Sequence, residues 1–89
     1  MPEITLTVHH KVGLHARPAA LLVQTANQFD CDIRVTHGDR EANARSILNV
    51  LTLGAEQGAE ITIRAQGADA DQALATLETL VRNNFGESG

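Results

Sequence analysis

Tryptophan and tyrosine are absent from these 89 residues, and phenylalanine occurs only twice. The stacking platforms that hold single-stranded bases are therefore missing. Positive charge is also scarce: seven Lys and Arg stand against eleven Asp and Glu, a formal net charge of −4. Non-specific nucleic-acid binding needs a basic surface, so nucleic acid is not an expected partner. One cysteine, Cys31, excludes an internal disulfide framework and fits a reducing, cytoplasmic setting. No apolar run reaches transmembrane length, and Met1-Pro2-Glu3 leads straight into a strand pattern without a leader, so no membrane insertion is expected. A Gly-rich phosphate loop ending in Lys-Ser/Thr is lacking, as is an acidic pair for Mg²⁺, so the chain is not expected to activate a nucleotide itself. His9, His10 and His15 have no Cys or carboxylate at ligand spacing, and neither metal nor cofactor is expected. His9 and His10 read as solvated residues at a strand end.

What is present is clear periodicity. Ile4, Leu6 and Val8 alternate with Thr5, Thr7 and His9, a half-buried strand. From Arg17 to about Gln28, Ala19, Leu22, Val23 and Ala26 fall on one helical face. Leu21 lies off that face, on the side of Arg17, Gln24 and Gln28, and is expected at a docking surface. Cys31, Ile33 and Val35 alternate as a second strand. A turn at His37-Gly38-Asp39, with His37 solvated at its tip, returns the chain through Arg40–Ala44. Ser46 is a good N-cap for a helix that Gly54 stops. That helix is apolar nearly all round. Val50 and Leu53 fit a core, which leaves Ile47, Leu48 and Leu51 as an exposed apolar patch of the kind that marks partner sites. Glu60–Ala65 alternates as a strand. Asp69 with Gln72 reads as a capping box for a last helix carrying Leu74, Leu77, Leu80 and Val81 and closed by Gly86, with Glu87-Ser88-Gly89 frayed.

The order is β-α-β-β-α-β-α in a single domain over residues 1–89. A four-stranded antiparallel sheet covered on one face by three helices, an α+β open-faced sandwich, buries every stripe. The other sheet face, with Thr5, Thr7, Arg34, Thr62 and Arg64, stays wet. A chain this size buries roughly 60–65% of its unfolded surface, enough for one core.

The stretch Gly13-Leu14-His15-Ala16-Arg17-Pro18 joins the first strand to the first helix. Proline suits a first helical turn because its missing N–H has no helical partner there. His15 then stands at the helix start, where outward N–H groups and the helix dipole favour an anion. Arg17 adds a planar donor fork matched to phosphate. A nucleophilic imidazole, an anion cradle and a guanidinium together suggest reversible phosphorylation of His15. The helix end and Arg17 both disfavour the imidazolium form, and both favour the attached phosphoryl oxygens.

The whole chain from Glu3 to Gly86 resembles HPr, the histidine-containing phosphocarrier family of the bacterial phosphoenolpyruvate-dependent sugar phosphotransferase system. The residues that carry the resemblance are Gly13-Leu14-His15-Ala16-Arg17-Pro18-Ala19-Ala20, Leu22-Val23-Gln24-Thr25-Ala26, Ala44-Arg45-Ser46-Ile47-Leu48 and Gly58-Ala59-Glu60-Ile61-Thr62-Ile63. The resemblance implies a carrier rather than an enzyme. His15 would accept a phosphoryl group on Nδ1 from phosphorylated enzyme I and pass it to IIA domains of sugar permeases, with Arg17 stabilising the phosphate. It implies Ser46 as a regulatory phosphorylation site, in a form resembling the HPr of low-GC Gram-positive bacteria. HPr kinase/phosphorylase and a transcriptional co-regulator then join the partners. Docking is expected through Ala20, Leu21, Ile47, Leu48 and Leu51, by a monomer.

The chain departs from the family pattern at Gln24, Asn27 and Asn49, where lysines are frequent, and at Val12, where a polar residue is usual. Arg17, Arg45 and Lys11 are then the basic residues around the site, and docking leans more on apolar contact. Two alternatives stand beside the carrier: a regulatory module of the same fold acting through Ser46, and a phosphocarrier for a dihydroxyacetone kinase relay. A third class, a small-ligand binder using the helix end as an anion site, predicts binding without covalent change.

Overall fold

A computed structural model of the chain describes residues 2–86, so the expected fraying of Glu87-Ser88-Gly89 lies outside the described residues. The element order is β1 (Glu3–Thr7), α1 (Ala16–Ala26), β2 (Cys31–His37), β3 (Arg40–Asn43), α2 (Ile47–Leu51), β4 (Glu60–Gly67) and α3 (Ala70–Arg82), followed by a tight turn over Asn84–Gly86. One sheet holds all four strands in the order β1-β4-β2-β3, every pair antiparallel.

The expected alternation of the strands holds. Leu6, Ile33, Val35, Ile61 and Ile63 are buried on the covered face, under Leu22 of α1, Val50 of α2 and Leu77 of α3. Cutting one of these large buried side chains to Ala costs about 2–5 kcal/mol, because the cavity adds to the lost transfer energy. The other face is wet. Arg34 and Arg64 stand directly opposite one another across β2 and β4. Like charges so placed repel. Each has an acid at hand: Asp32 Oδ1 lies 3.2 Å from Arg34 Nε, and Glu3 Oε1 lies 3.1 Å from Arg64 Nε.

Several local expectations are corrected. α1 runs over Ala16–Ala26 rather than Arg17–Gln28, so Pro18 is its third residue. α2 is a five-residue helix. Tighter bonds from Leu53 N–H to Val50 O and from Gly54 N–H to Leu51 O carry the chain on to Gly54, whose φ of +64° ends it. α3 stops at Arg82, short of Gly86, because Asn84 and Phe85 both adopt φ of +55°. That is costly for a phenylalanine, and it is offset by turning Phe85 into the core at 3% exposure. Asp69 does not cap α3 with its side chain; its Oδ2 accepts the Asp30 N–H at 3.1 Å and ties the start of β2 to the start of α3. His37 is half-buried rather than solvated, its Nδ1 lying 2.9 Å from Leu53 O. Beside it Arg40 Nη1 donates to Thr52 O at 2.8 Å, so the hairpin tip holds the last carbonyls of the α2 turn.

Candidate functional site

The site begins where β1 ends. Val8 N–H donates to Ala59 O and Gly58 N–H to Val8 O, both at 2.8 Å, so the chain stays pinned past the last strand residue. Gly13 N–H closes a turn onto His10 O at 2.9 Å, and Leu14 N–H donates to Ala55 O at 2.9 Å. Gly13 has φ of +77°, and a Cβ there would sit 2.6 Å from Glu56 Cα and against Ala55 O. Only glycine allows so close a backbone approach. With Leu14 buried beneath it, the loop delivers His15 to the N-terminus of α1.

His15 is the N-cap residue, extended at φ −84° and ψ −168°, and its side chain makes no capping bond. Its carbonyl accepts the first helical bond, from Ala19 N–H at 3.0 Å. The N–H groups of Ala16 and Arg17 precede that bond and project from the helix end, while Pro18 has none. No acid stands in this first turn to oppose an anion.

The imidazole is half-buried, with its two nitrogens in different surroundings. Nε2 is buried and has no hydrogen-bond partner among the described residues. An inward polar atom left so costs about 1–3 kcal/mol. Nδ1 is therefore the nitrogen left facing outward. Against the His15 ring lies the ring of His10, centroids 4.9 Å apart and tilted by 51°. His10 is 7% exposed, which corrects its reading as a solvated strand-end residue. Its Nδ1 accepts the Val12 N–H at 3.2 Å. The signal was present in the sequence. The inward rhythm of Leu6 and Val8 continues to position 10, although the strand itself ends at Thr7.

Arg17 is exposed one residue into the helix. Ser46 caps α2, its Oγ accepting Asn49 N–H at 3.2 Å. α2 packs against α1 and β3. Ile47, Leu48 and Leu51 are exposed at 41%, 75% and 37%, and Val12 in the histidine loop at 63%. Ala20 is half-buried. Leu21 is not the open side chain expected: it is half-buried against the core and lines a groove between α1 and α3 with Thr76, Leu80 and Phe85. Arg45 differs too. Its guanidinium donates to Asn27 Oδ1 (3.1 Å), Phe29 O (2.7 Å) and Cys31 O (3.0 Å), stapling the α1–β2 connection rather than facing a partner.

Over residues 2–83 the chain matches the family model described as PTS HPr component phosphorylation site. The chain belongs to the HPr family. It is 40% identical over 78 residues to the phosphocarrier protein HPr of Mycoplasma capricolum, covering 88% of both chains. It superposes on the crystal structure of HPr-C-His from Thermoanaerobacter tengcongensis with a TM-score of 0.96 at 42% identity, over the full length of both. It is also similar to Crh, the catabolite-repression protein of Bacillus subtilis, crystallised as a swapped, intertwined dimer. There the TM-score is 0.75 at 39% identity, over 94% of this chain and 97% of that one. As an HPr-family member the protein is a phosphocarrier of the phosphotransferase system, a carrier rather than a catalyst in its own right. The HPr match takes in both the Gly13–Pro18 stretch and Ser46. Among the described residues no helix is long and apolar enough to cross a membrane.

Proposed function

We propose that His15 accepts a phosphoryl group at Nδ1 from phosphorylated enzyme I and delivers it to IIA domains of sugar permeases, in the cytoplasm and as a monomer. The observation that carries this reading is the His15 ring at the α1 N-cap, with Nε2 turned inward and Nδ1 left facing out. In the transfer the Nδ1 lone pair forms the N–P bond. The bond from phosphorus to the donor breaks, and its electron pair leaves with the donor. Nε2 keeps its proton, and delivery to a IIA domain runs the same step in reverse. Ala16 and Arg17 N–H groups and the Arg17 guanidinium meet the phosphoryl oxygens. The helix end contributes about 0.3–2 kcal/mol, and a charge-assisted Arg17 bond about 1.5–3 kcal/mol. Modest sums suit a carrier, which must let the group go.

Docking runs over Ile47, Leu48 and Leu51 with Val12 beside the loop, and Ala20 at the edge. Ser46 is the regulatory site, phosphorylated by HPr kinase/phosphorylase. A phosphate on Oγ replaces a neutral cap with about −1.5 to −2 charges beside Ile47 and Leu48, which opposes apolar docking while remaining compatible with a helix N-terminus. The Ser46-phosphorylated form is what a transcriptional co-regulator reads. The regulatory-module reading, supported by the likeness to Crh, needs Ser46 and not His15.

Intact-mass spectrometry after incubation with phosphoenolpyruvate and enzyme I separates them. One acid-labile, alkali-stable phosphoryl adduct, absent from His15→Ala, is the expected result. No adduct with several enzyme I sources sinks the carrier reading and leaves the regulatory one.

A further inference from the structure

We propose that His10 is a positioning residue for His15: its buried ring is the wall that holds the His15 imidazole with Nδ1, and not Nε2, towards the incoming phosphoryl group. This rests on the carrier reading above for its consequence, but not for its geometry. Among the described residues no polar contact accounts for the orientation of His15. The side chain makes no cap bond, and Nε2 is buried without a partner among the described residues. Packing must therefore set the rotamer. The ring pair with His10, at 4.9 Å between centroids and tilted by 51°, lies in the range where ring pairs attract.

His10 is itself held firmly enough to act as a wall. It is 7% exposed. Its Nδ1 accepts Val12 N–H at 3.2 Å and its carbonyl accepts Gly13 N–H at 2.9 Å. An accepting ring nitrogen is unprotonated, so neutral His10 carries its proton on Nε2. The loop that carries His10 is fixed in turn by Leu14 N–H on Ala55 O. Removing the His10 ring opens a space beside His15. The His15 side chain then samples further rotamers, and the fraction with Nδ1 correctly placed falls.

Three variants separate the ring from its hydrogen bond. His10→Gln keeps an acceptor for Val12 N–H and loses the ring. His10→Phe keeps a ring and loses the acceptor. His10→Ala replaces His10→Gln in the test if the latter does not fold. The first readout needs no partner protein: NMR three-bond couplings of the His15 side chain in the unphosphorylated protein. One χ1 rotamer is expected in wild type and His10→Phe, and rotamer averaging in His10→Gln. A single unchanged rotamer in His10→Gln overturns the proposal.

The second readout is phosphoryl acceptance from enzyme I, with the modified nitrogen identified by ¹⁵N–³¹P coupling. Wild type and His10→Phe should carry the group on Nδ1 alone. In His10→Gln kcat should fall by about tenfold, short of the ~100-fold a full 1 Å misplacement can cost. The KM of enzyme I for the variant should be unchanged, since the docking patch is untouched, and a fraction of the product should appear on Nε2. Wild-type kcat with product only on Nδ1 in His10→Gln also overturns it. If wild type itself accepts nothing, the carrier reading fails while the rotamer couplings still decide the role of His10.

Discussion

Replacing Gly13 by L-alanine should damage the protein at the point where the site is built. The new methyl would meet Ala55 O and sit 2.6 Å from Glu56 Cα, both backbone atoms of a segment tied to the same loop. Ordinary carbon contacts lie at about 3.5–4.0 Å, so the two segments must part by roughly an ångström. That breaks the 2.9 Å bond from Leu14 N–H to Ala55 O, and a buried pair left unmade costs about 1–3 kcal/mol. The φ of +77° adds about 1–2 kcal/mol for an L-residue. Together these predict a loss of roughly 2–5 kcal/mol and, for a domain of this size, a fall in Tm of about 10–30 °C. If the loop detaches instead, the melting loss shrinks and His15, two residues on, is displaced, so phosphoryl acceptance drops. A synthetic chain with D-alanine at position 13 is the control. A D-residue is relaxed at this φ, and its methyl replaces the other Hα rather than the position that meets Ala55 O. It should melt at or slightly above wild type, by about 0.4–1 kcal/mol, through a less flexible unfolded chain. Thermal unfolding by circular dichroism and the acceptance rate are the assays. An L-alanine variant that melts with wild type and is fully active would refute the reasoning.

Arg45→Ala should lower stability by about 1.5–3 kcal/mol, since it removes three guanidinium bonds, discounted for their exposure; a Tm equal to wild type would show that these bonds do not staple the α1–β2 connection. Ser46→Asp should slow phosphoryl acceptance at His15 with melting nearly unchanged, and equal acceptor rates count against a regulatory Ser46. Ser46→Ala should cost about 0.5–2 kcal/mol through loss of the bond to Asn49 N–H, read by urea unfolding. Cys31 should alkylate far more slowly in the folded than in the unfolded protein, because burial, and then the Asp69 charge, push its thiol up. With the folded value above the unfolded one, its contribution to stability is complete below the ordinary thiol range and is lost as pH rises through the folded value; equal alkylation rates in both states would contradict this.

Much of the architecture was written in local pattern. Period-two runs marked the strands and period-3.6 stripes the helices, because each element must turn one face to a core whatever its partner is. Ser46 capped its helix as read, since capping needs only a hydroxyl and an N–H three residues away. The Gly13–Pro18 stretch placed His15 at a helix start for the same local reason. The burial of Leu21, the bonds of Arg45 and the failure of Asp69 to cap α3 were not legible, because their partners lie far along the chain. α3 crosses beside Leu21, the α1–β2 connection passes under Arg45, and Asp30 reaches Asp69 across 39 residues. His10 shows the division most clearly. Its inward parity was legible from Leu6 and Val8, but which ring it would meet there was decided only when the loop folded back and brought His15 to 4.9 Å. Sequence determines which faces are apolar and where helices begin; only tertiary structure decides which two faces, or two rings, come to share one place, because that depends on how distant segments cross.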